Sequence, residues 1–288
     1  MATTVKQSFL EFKANLEITN LQQQTVSTRQ GNVRDAVATD LTVLDSFLTG
    51  SYRRSTMVAP LKEADIDIFI LLHSSYFKQD GQAALLDKVK AALKNQYPKT
   101  PKISRNGQAV TIRFSDFVVD VVPAFRRQGG GYLIADSINR RWISTDPKKH
   151  IDIWSTANST HNGHLVPLIK MIKAWNRQHS FLLRSFHLEA MILAILTNVT
   201  INDFSSGARF VFDKARHVAR GATYDPAGYG GNLADYLSTL QKIEDVVSRL
   251  ESAYKRAVDA ESLDEQGKTS SAVEKWRLIF GDYFPIYG

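Results

Sequence analysis

The sequence predicts an α+β chain, with a mixed-sheet lobe over residues 1–155 followed by a helical lobe over residues 156–288. Three observations predict it. Between about residues 41 and 135 apolar residues recur every second position in short runs bounded by turn residues, the pattern of strands. From about residue 150 the repeat lengthens to 3.6, the pattern of helices with one apolar face. The chain has 288 residues, enough to build two modest cores, and its 43% hydrophobic content is that of a globular protein rather than a disordered tail.

In chain order, Val5, Phe9, Phe12 and Leu16 lie at helical spacing. A second helix follows from about Leu21 to Ala38, with Gly31 as its weak point. The run Leu41 to Leu48 reads as a strand that breaks at Gly50-Ser51. Ala64 to Leu72 is the clearest strand of the chain, and Ala83 to Leu93 is an amphipathic helix stopped before Pro98. Short strands follow at Lys102 to Ser104, Ala109 to Phe114 and Phe117 to Val122, with a turn at Asn106-Gly107. Gly129-Gly130-Gly131 reads as the turn before a strand at Tyr132 to Ala135, because no helix N-terminus follows to make it a phosphate loop. Helices are then expected over Ile151–Thr156, Val166–Asn176, Leu188–Leu196, Ala208–Arg220, Leu240–Ala260 and Ser270–Phe280. Gly221 to Gly231 is the most loop-like segment, and no internal repeat is present.

The chemistry concentrates between Gly50 and Leu72. In Asp65-Ile66-Asp67-Ile68-Phe69-Ile70 the alternation of a strand puts Asp65 and Asp67 on one face and Ile66, Ile68 and Ile70 on the other. Two neighbouring carboxylates on an apolar strand repel and lose hydration, so a divalent cation between them is the condition under which they persist most easily. The sequence therefore predicts a magnesium site. Surface charges on an edge strand are the plainer alternative. Upstream, Gly50-Ser51 opens onto residues that can begin a helix, so backbone N–H groups and the Ser51 hydroxyl offer a phosphate cradle. Downstream, Asp120 is the lone charge in Phe117-Val118-Val119-Asp120-Val121-Val122.

Gly50-Ser51, then Asp65-x-Asp67, then a distant strand Asp120 resembles the signature of the DNA polymerase β-like nucleotidyltransferases. The flanking text is similar to the bacterial cGAS/DncV-like nucleotidyltransferases, or CD-NTases, and to the related oligoadenylate synthetases. The resemblance continues through Leu165–Asn176, Ser185-Phe186-His187-Leu188-Glu189, Tyr224-Asp225-Pro226 and Trp276–Pro285, and so covers most of the chain. No single piece is specific; their order and spacing are.

The resemblance implies a polymerase β-like lobe beside an oligoadenylate synthetase-like helical lobe, with the active site in the cleft between them. Asp65, Asp67 and Asp120 would be both the catalytic residues and the ligands of two magnesium ions, for which manganese can substitute. Gly50 and Ser51 would hold the triphosphate, with help from Lys170 or Lys173 and from Ser185, and Phe186 would stack on a base. The plainer readings are a solvated helix face for the lysines, a core position for Phe186 and a helix cap for Ser185. The implied product is a cyclic di- or trinucleotide made without a template from nucleoside triphosphates, as a second messenger in bacterial anti-phage (CBASS-type) defence. The implied partners are nucleoside triphosphates and regulatory or effector proteins of a defence operon, with no nucleic acid required, and the expected state is a monomer.

Composition excludes other chemistries. With no cysteine there is no disulfide and no thiolate zinc site, so the DNA-contacting zinc module of the animal DNA sensor cannot exist here. The apolar stretches fall far short of the roughly 20 residues of a membrane span. The first residues show no signal-peptide core, so a cytoplasmic location is expected. A net charge of +7 suits polyanions but does not choose between nucleic acid and triphosphates. His161 and His164 lack further ligands and are expected to cap or line a loop, and Asp225-Pro226 is assigned no chemistry. A linear-oligonucleotide or RNA-tailing transferase and a catalytically silent nucleotide-binding module are the two alternatives.

Overall fold

The computed structural model describes residues 2–100 and 102–288. Two compact units emerge: Ile18–Asp152, which holds the sheet, and Ile153–Gly288 together with the N-terminal segment up to Glu17.

In the sheet unit α2 (Asn20–Ala38) follows Thr19, whose side chain accepts from the Gln22 amide while Gln22 reaches back to the Thr19 amide. This reciprocal cap sets the helix start, and Gly31 does not interrupt the helix. The strands are β1 (Val43–Leu48), β2 (Asp65–Leu72), β3 (Ile103–Asn106), β4 (Ala109–Arg113), β5 (Val118–Arg126), β6 (Tyr132–Asp136) and β7 (Arg141–Thr145). Among the described residues they form one sheet with the order β1-β2-β5-β4-β3, and β6 and β7 continue from β5. Strands β2 and β5 run parallel, joined by a crossover that contains α4 (Gln82–Gln96); the other pairings are antiparallel. A one-turn helix, α3 (Gly50–Arg53), follows β1.

The period of two sorts the sheet's faces. Ile66, Ile68, Ile70, Val110, Ile112, Val119 and Val121 point into a core closed by Val26, Val33 and Val37 of α2 and Leu86, Val89 and Leu93 of α4. Phe69, Leu71 and Ala124 pack on the opposite face with Tyr132 and Ile134. Asp65, Asp67 and Asp120 lie on this second face.

The helical unit contains α1 (Val5–Asn15), α5 (Pro147–Thr160, whose first turns lie in the sheet unit), α6 (Leu165–Gln178), α7 (Ser185–Ile195), α8 (Phe204–Val218), α9 (Leu240–Glu265) and α10 (Thr269–Phe280). Nearly every residue of α6 is buried, so it forms the axis of the unit. The predicted boundary at residue 155 is corrected in one respect: α1 packs with the helices, not with the sheet. Phe9 meets Trp276 at 4.9 Å and Phe284 at 5.0 Å between ring centroids, and Phe12 meets Phe280 at 4.8 Å. Such edge-to-face and tilted contacts suit the ring quadrupoles and bury large apolar area. Strand β7 lies in a stretch for which the sequence predicts no strand.

Candidate functional site

Strands β2 and β5 bring the acids together. Their parallel register makes Asp67 and Asp120 direct Cα partners, and Asp65 sits two residues before Asp67 on the same face. Asp65 is exposed, while Asp67 and Asp120 are half-buried. Although Asp65 is exposed as a residue, the atoms packed around its carboxyl strip part of its hydration and push it above its ordinary range; the Asp120 charge pushes it the same way, and Arg113 opposes both. Asp120 is also raised by burial, against a hydrogen bond from Thr111 and the Arg113 charge. Thr111 Oγ1 donates to Asp120 Oδ1 at 2.5 Å, from its in-register position on β4. Among the described residues no group of three or more His, Cys, Asp or Glu is drawn together as a closed metal cage. The donor set nevertheless fits a hard divalent cation. All three carboxylates lie on one face, and a cation would offset both the lost hydration and the repulsion that raise Asp65.

Gly50 completes this corner. The Thr49 N–H donates to the Asp67 carbonyl at 2.9 Å, which fastens the end of β1 to β2. Gly50 then adopts φ +61°, and a Cβ built there would lie 1.7 Å from Asp67 Oδ2. Only glycine allows this backbone to approach the carboxylate. The Ser51 carbonyl accepts from the Thr56 and Met57 amides at 2.9 and 3.1 Å, so the turn after Gly50 is closed by its own backbone. Because α3 is a single turn of four residues, it carries little of a helix macrodipole. What Gly50 and Ser51 offer is close backbone approach and a hydroxyl.

The other predicted residues lie in the helical unit. Lys170 is bonded to Glu17 Oε2 at 2.6 Å, and Lys173 to Glu189 Oε1 at 2.7 Å. The plainer alternative of a solvated face does not hold for either, since their side chains are 7% and 9% exposed. The partners differ: the Glu17 side chain is 47% exposed, whereas Glu189 is fully buried. Separating Lys173 from Glu189 would take the cation from a buried carboxylate, whereas Glu17 keeps access to water without Lys170, so the first separation costs more. Ser185 is the first residue of α7, not its cap; Arg184, with φ -60° and ψ 136°, holds the cap position. Ser185 is exposed, and Phe186 is half-buried with its ring stacked 5.8 Å from that of Trp154. His161 and His164 do cap and line loops: His161 bonds the Ala157 and Leu196 carbonyls, and His164 bonds the Ile201 carbonyl.

Sequence reasoning missed Thr111 and Arg113. Both sit on a strand whose pairing with β5 puts them beside the acids, and nothing in a single sequence signals that register.

The comparisons with known proteins place the chain in a family. The family described as Second Messenger Oligonucleotide or Dinucleotide Synthetase domain matches residues 3–158. A cyclic AMP-AMP-AMP synthase from Acinetobacter sp. is 25% identical over 305 residues, covering 98% of this chain and 86% of that protein. A probable cyclic nucleotide synthase from Bacillus cereus is 28% identical over 274 residues, covering 83% and 81%. Among solved structures, E. coli MS115-1 CdnC with ATP superimposes with a TM-score of 0.79 at 16% identity, covering 97% of this chain and 98% of that one. The match extends over more than half of the 288 residues and takes in Gly50, Asp65, Asp67 and Asp120, so the chain belongs to the Second Messenger Oligonucleotide or Dinucleotide Synthetase family and is a cGAS/DncV-like nucleotidyltransferase.

Proposed function

We propose that this chain joins nucleoside triphosphates, without a template, into a cyclic di- or trinucleotide that serves as a second messenger in bacterial anti-phage signalling of the CBASS type. The observation that carries the reading is the register of Asp67 against Asp120, with Asp65 on the same face and Gly50 against Asp67. That the two relatives bear the names of cyclic nucleotide synthases supports ring closure over a linear product.

Each bond is made by a ribose hydroxyl oxygen attacking an α-phosphorus. A new P–O bond forms, the bond to the β-phosphate oxygen breaks, pyrophosphate leaves, and the hydroxyl proton is lost to solvent. A second such displacement, or a third, closes the ring. Asp65, Asp67 and Asp120 would hold the magnesium ions, or manganese in their place, and bound metal supplies Lewis-acid stabilisation of the attacking and leaving oxygens. Gly50 lets the triphosphate approach the backbone, and the Ser51 hydroxyl donates to it. Lys170, once released by Glu17, contributes a mobile positive charge. Ser185 hydrogen-bonds phosphate, and the Phe186 ring, already stacked on Trp154, offers an aromatic surface to a base.

The net charge of +7 suits a second reading equally well, a transferase that extends linear RNA, since a basic surface attracts any polyanion. Pyrophosphate release from triphosphates, with and without added RNA, separates the two. Release independent of nucleic acid is expected here. An absolute need for an RNA 3′ end would move the assignment to the second reading.

A further inference from the structure

His187 is the third residue of α7, directly after Ser185 and Phe186, and its ring is buried. Its Nδ1 lies 2.9 Å from Tyr236 Oη and its Nε2 lies 3.1 Å from Thr223 Oγ1. Tyr236 Oη also accepts the Arg184 N–H at 2.9 Å. One arrangement gives every one of these protons an acceptor. In it Tyr236 Oη accepts the Arg184 N–H and gives its own proton to His187 Nδ1, and the imidazole proton on Nε2 goes to Thr223 Oγ1; with the opposite tautomer the Tyr236 proton has no acceptor within this group. This arrangement uses a neutral ring, and burial together with the Arg184 charge lowers the His187 pKa to about 4.

The two ends of the relay lie in one loop. Thr223 and Tyr236 bracket a segment cross-bonded within itself: Asn232 Oδ1 accepts from the Thr223 and Ala234 amides at 3.1 and 3.0 Å, and Asp225 accepts from the Ala227 and Gly230 amides at 2.9 Å each. The Arg184 guanidinium covers the Tyr236 ring at 4.3 Å and lies 3.7 Å from Asp235. The loop therefore behaves as one folded block docked on the first turn of α7.

We propose that Tyr236, His187 and Thr223 form a positioning relay, which holds the loop of residues 223–236 against the first turn of α7 and thereby sets Ser185 and Phe186 for the nucleotide. This rests on the reading of Ser185 and Phe186 as nucleotide-binding residues. A hydrophobic contact would hold the loop as firmly. Three directional bonds to this end of α7 fix in addition the rotation and height of the turn that presents the hydroxyl and the aromatic face.

The test compares KM and kcat for the nucleoside triphosphates, together with the melting temperature, in Tyr236→Phe, Thr223→Val, Thr223→Ser and the reference variant Phe186→Ala. Tyr236→Phe and Thr223→Val are expected to raise KM about three- to tenfold, the range that loss of one hydrogen bond produces, with kcat within about twofold. Thr223→Ser keeps the hydroxyl and is expected to restore the wild-type KM. If Phe186→Ala raises KM while Tyr236→Phe and Thr223→Val lower only the melting temperature, the relay is merely structural and the proposal is wrong. The proposal also fails if Thr223→Ser behaves as Thr223→Val. An unchanged KM in Phe186→Ala would remove the nucleotide reading of this turn, and the relay's role with it.

Discussion

A Cβ at Gly50 would stand 1.7 Å from Asp67 Oδ2, at a backbone φ of +61°. Gly50→Ala therefore imposes both a collision with a proposed metal ligand and left-handed strain. Stability should fall by about 1–3 kcal/mol, the cost of one such strained position. Turnover should fall by about 100-fold or more, on the scale of losing one aligned electrostatic group. Urea unfolding and pyrophosphate release measure the two separately. Unimpaired turnover would show that the position of the Asp67 carboxylate does not limit the chemistry.

Partial loss of hydration at its carboxyl and the Asp120 charge make Asp65 a costly anion. Magnesium should raise the melting temperature of the wild-type protein and leave that of Asp120→Asn unmoved. Ion at about 100 times its dissociation constant is expected to add about 2.7 kcal/mol. Without metal, Asp65→Asn should melt no lower than wild type, because it removes a desolvated charge. Equal magnesium shifts in wild type and Asp120→Asn would exclude Asp120 as a ligand.

The two lysine pairs should behave differently. Lys173→Ala takes the cation from the fully buried Glu189 and is expected to destabilise the chain by about 3–5 kcal/mol. Lys170→Ala leaves Glu17 with access to water, so its stability cost should be smaller and its main effect a raised KM for triphosphates. Denaturant midpoints and steady-state kinetics on the two variants check this ordering.

His187 supplies a pH signature. Its folded pKa of about 4 lies below the ordinary 6.5, so between those values the unfolded chain takes up a proton that the folded chain does not. Its contribution to stability is complete above pH 6.5 and is lost as pH falls towards 4. The melting temperature of His187→Gln should therefore fall less than that of wild type between pH 7.5 and 4.5. Parallel pH profiles would mean that His187 is protonated alike in the folded and unfolded chain.

How legible the fold was depends on the range of the contacts behind it. The Asp65–Leu72 strand announces itself because its buried side carries Ile66, Ile68 and Ile70 at period two, and α6 because its apolar residues recur at helical spacing. Strand β7 has no such pattern, being short, partly exposed and paired only with β6 among the described residues. The placement of α1 rests on Phe9 and Phe12 meeting aromatic residues from the far end of the chain, a pairing that local periodicity cannot encode. In the site, the acids and Gly50 were readable as residue types at a spacing. Thr111, Arg113 and the His187 relay were not, because each acts through a partner that only the folded chain supplies. Lys170 and Lys173 look alike in sequence, and only the exposure of Glu17 against the burial of Glu189 separates them.

The most direct test of cyclic nucleotide synthesis is product analysis. The purified chain is incubated with the four nucleoside triphosphates and magnesium, free of nucleic acid; the reaction is treated with phosphatase, and what survives is identified by mass spectrometry. The proposed function predicts a phosphatase-resistant product with the mass of two or three nucleoside monophosphates less one water per linkage, and none from Asp67→Asn. A ladder of phosphatase-sensitive linear products, or the same cyclic product from Asp67→Asn, would contradict it.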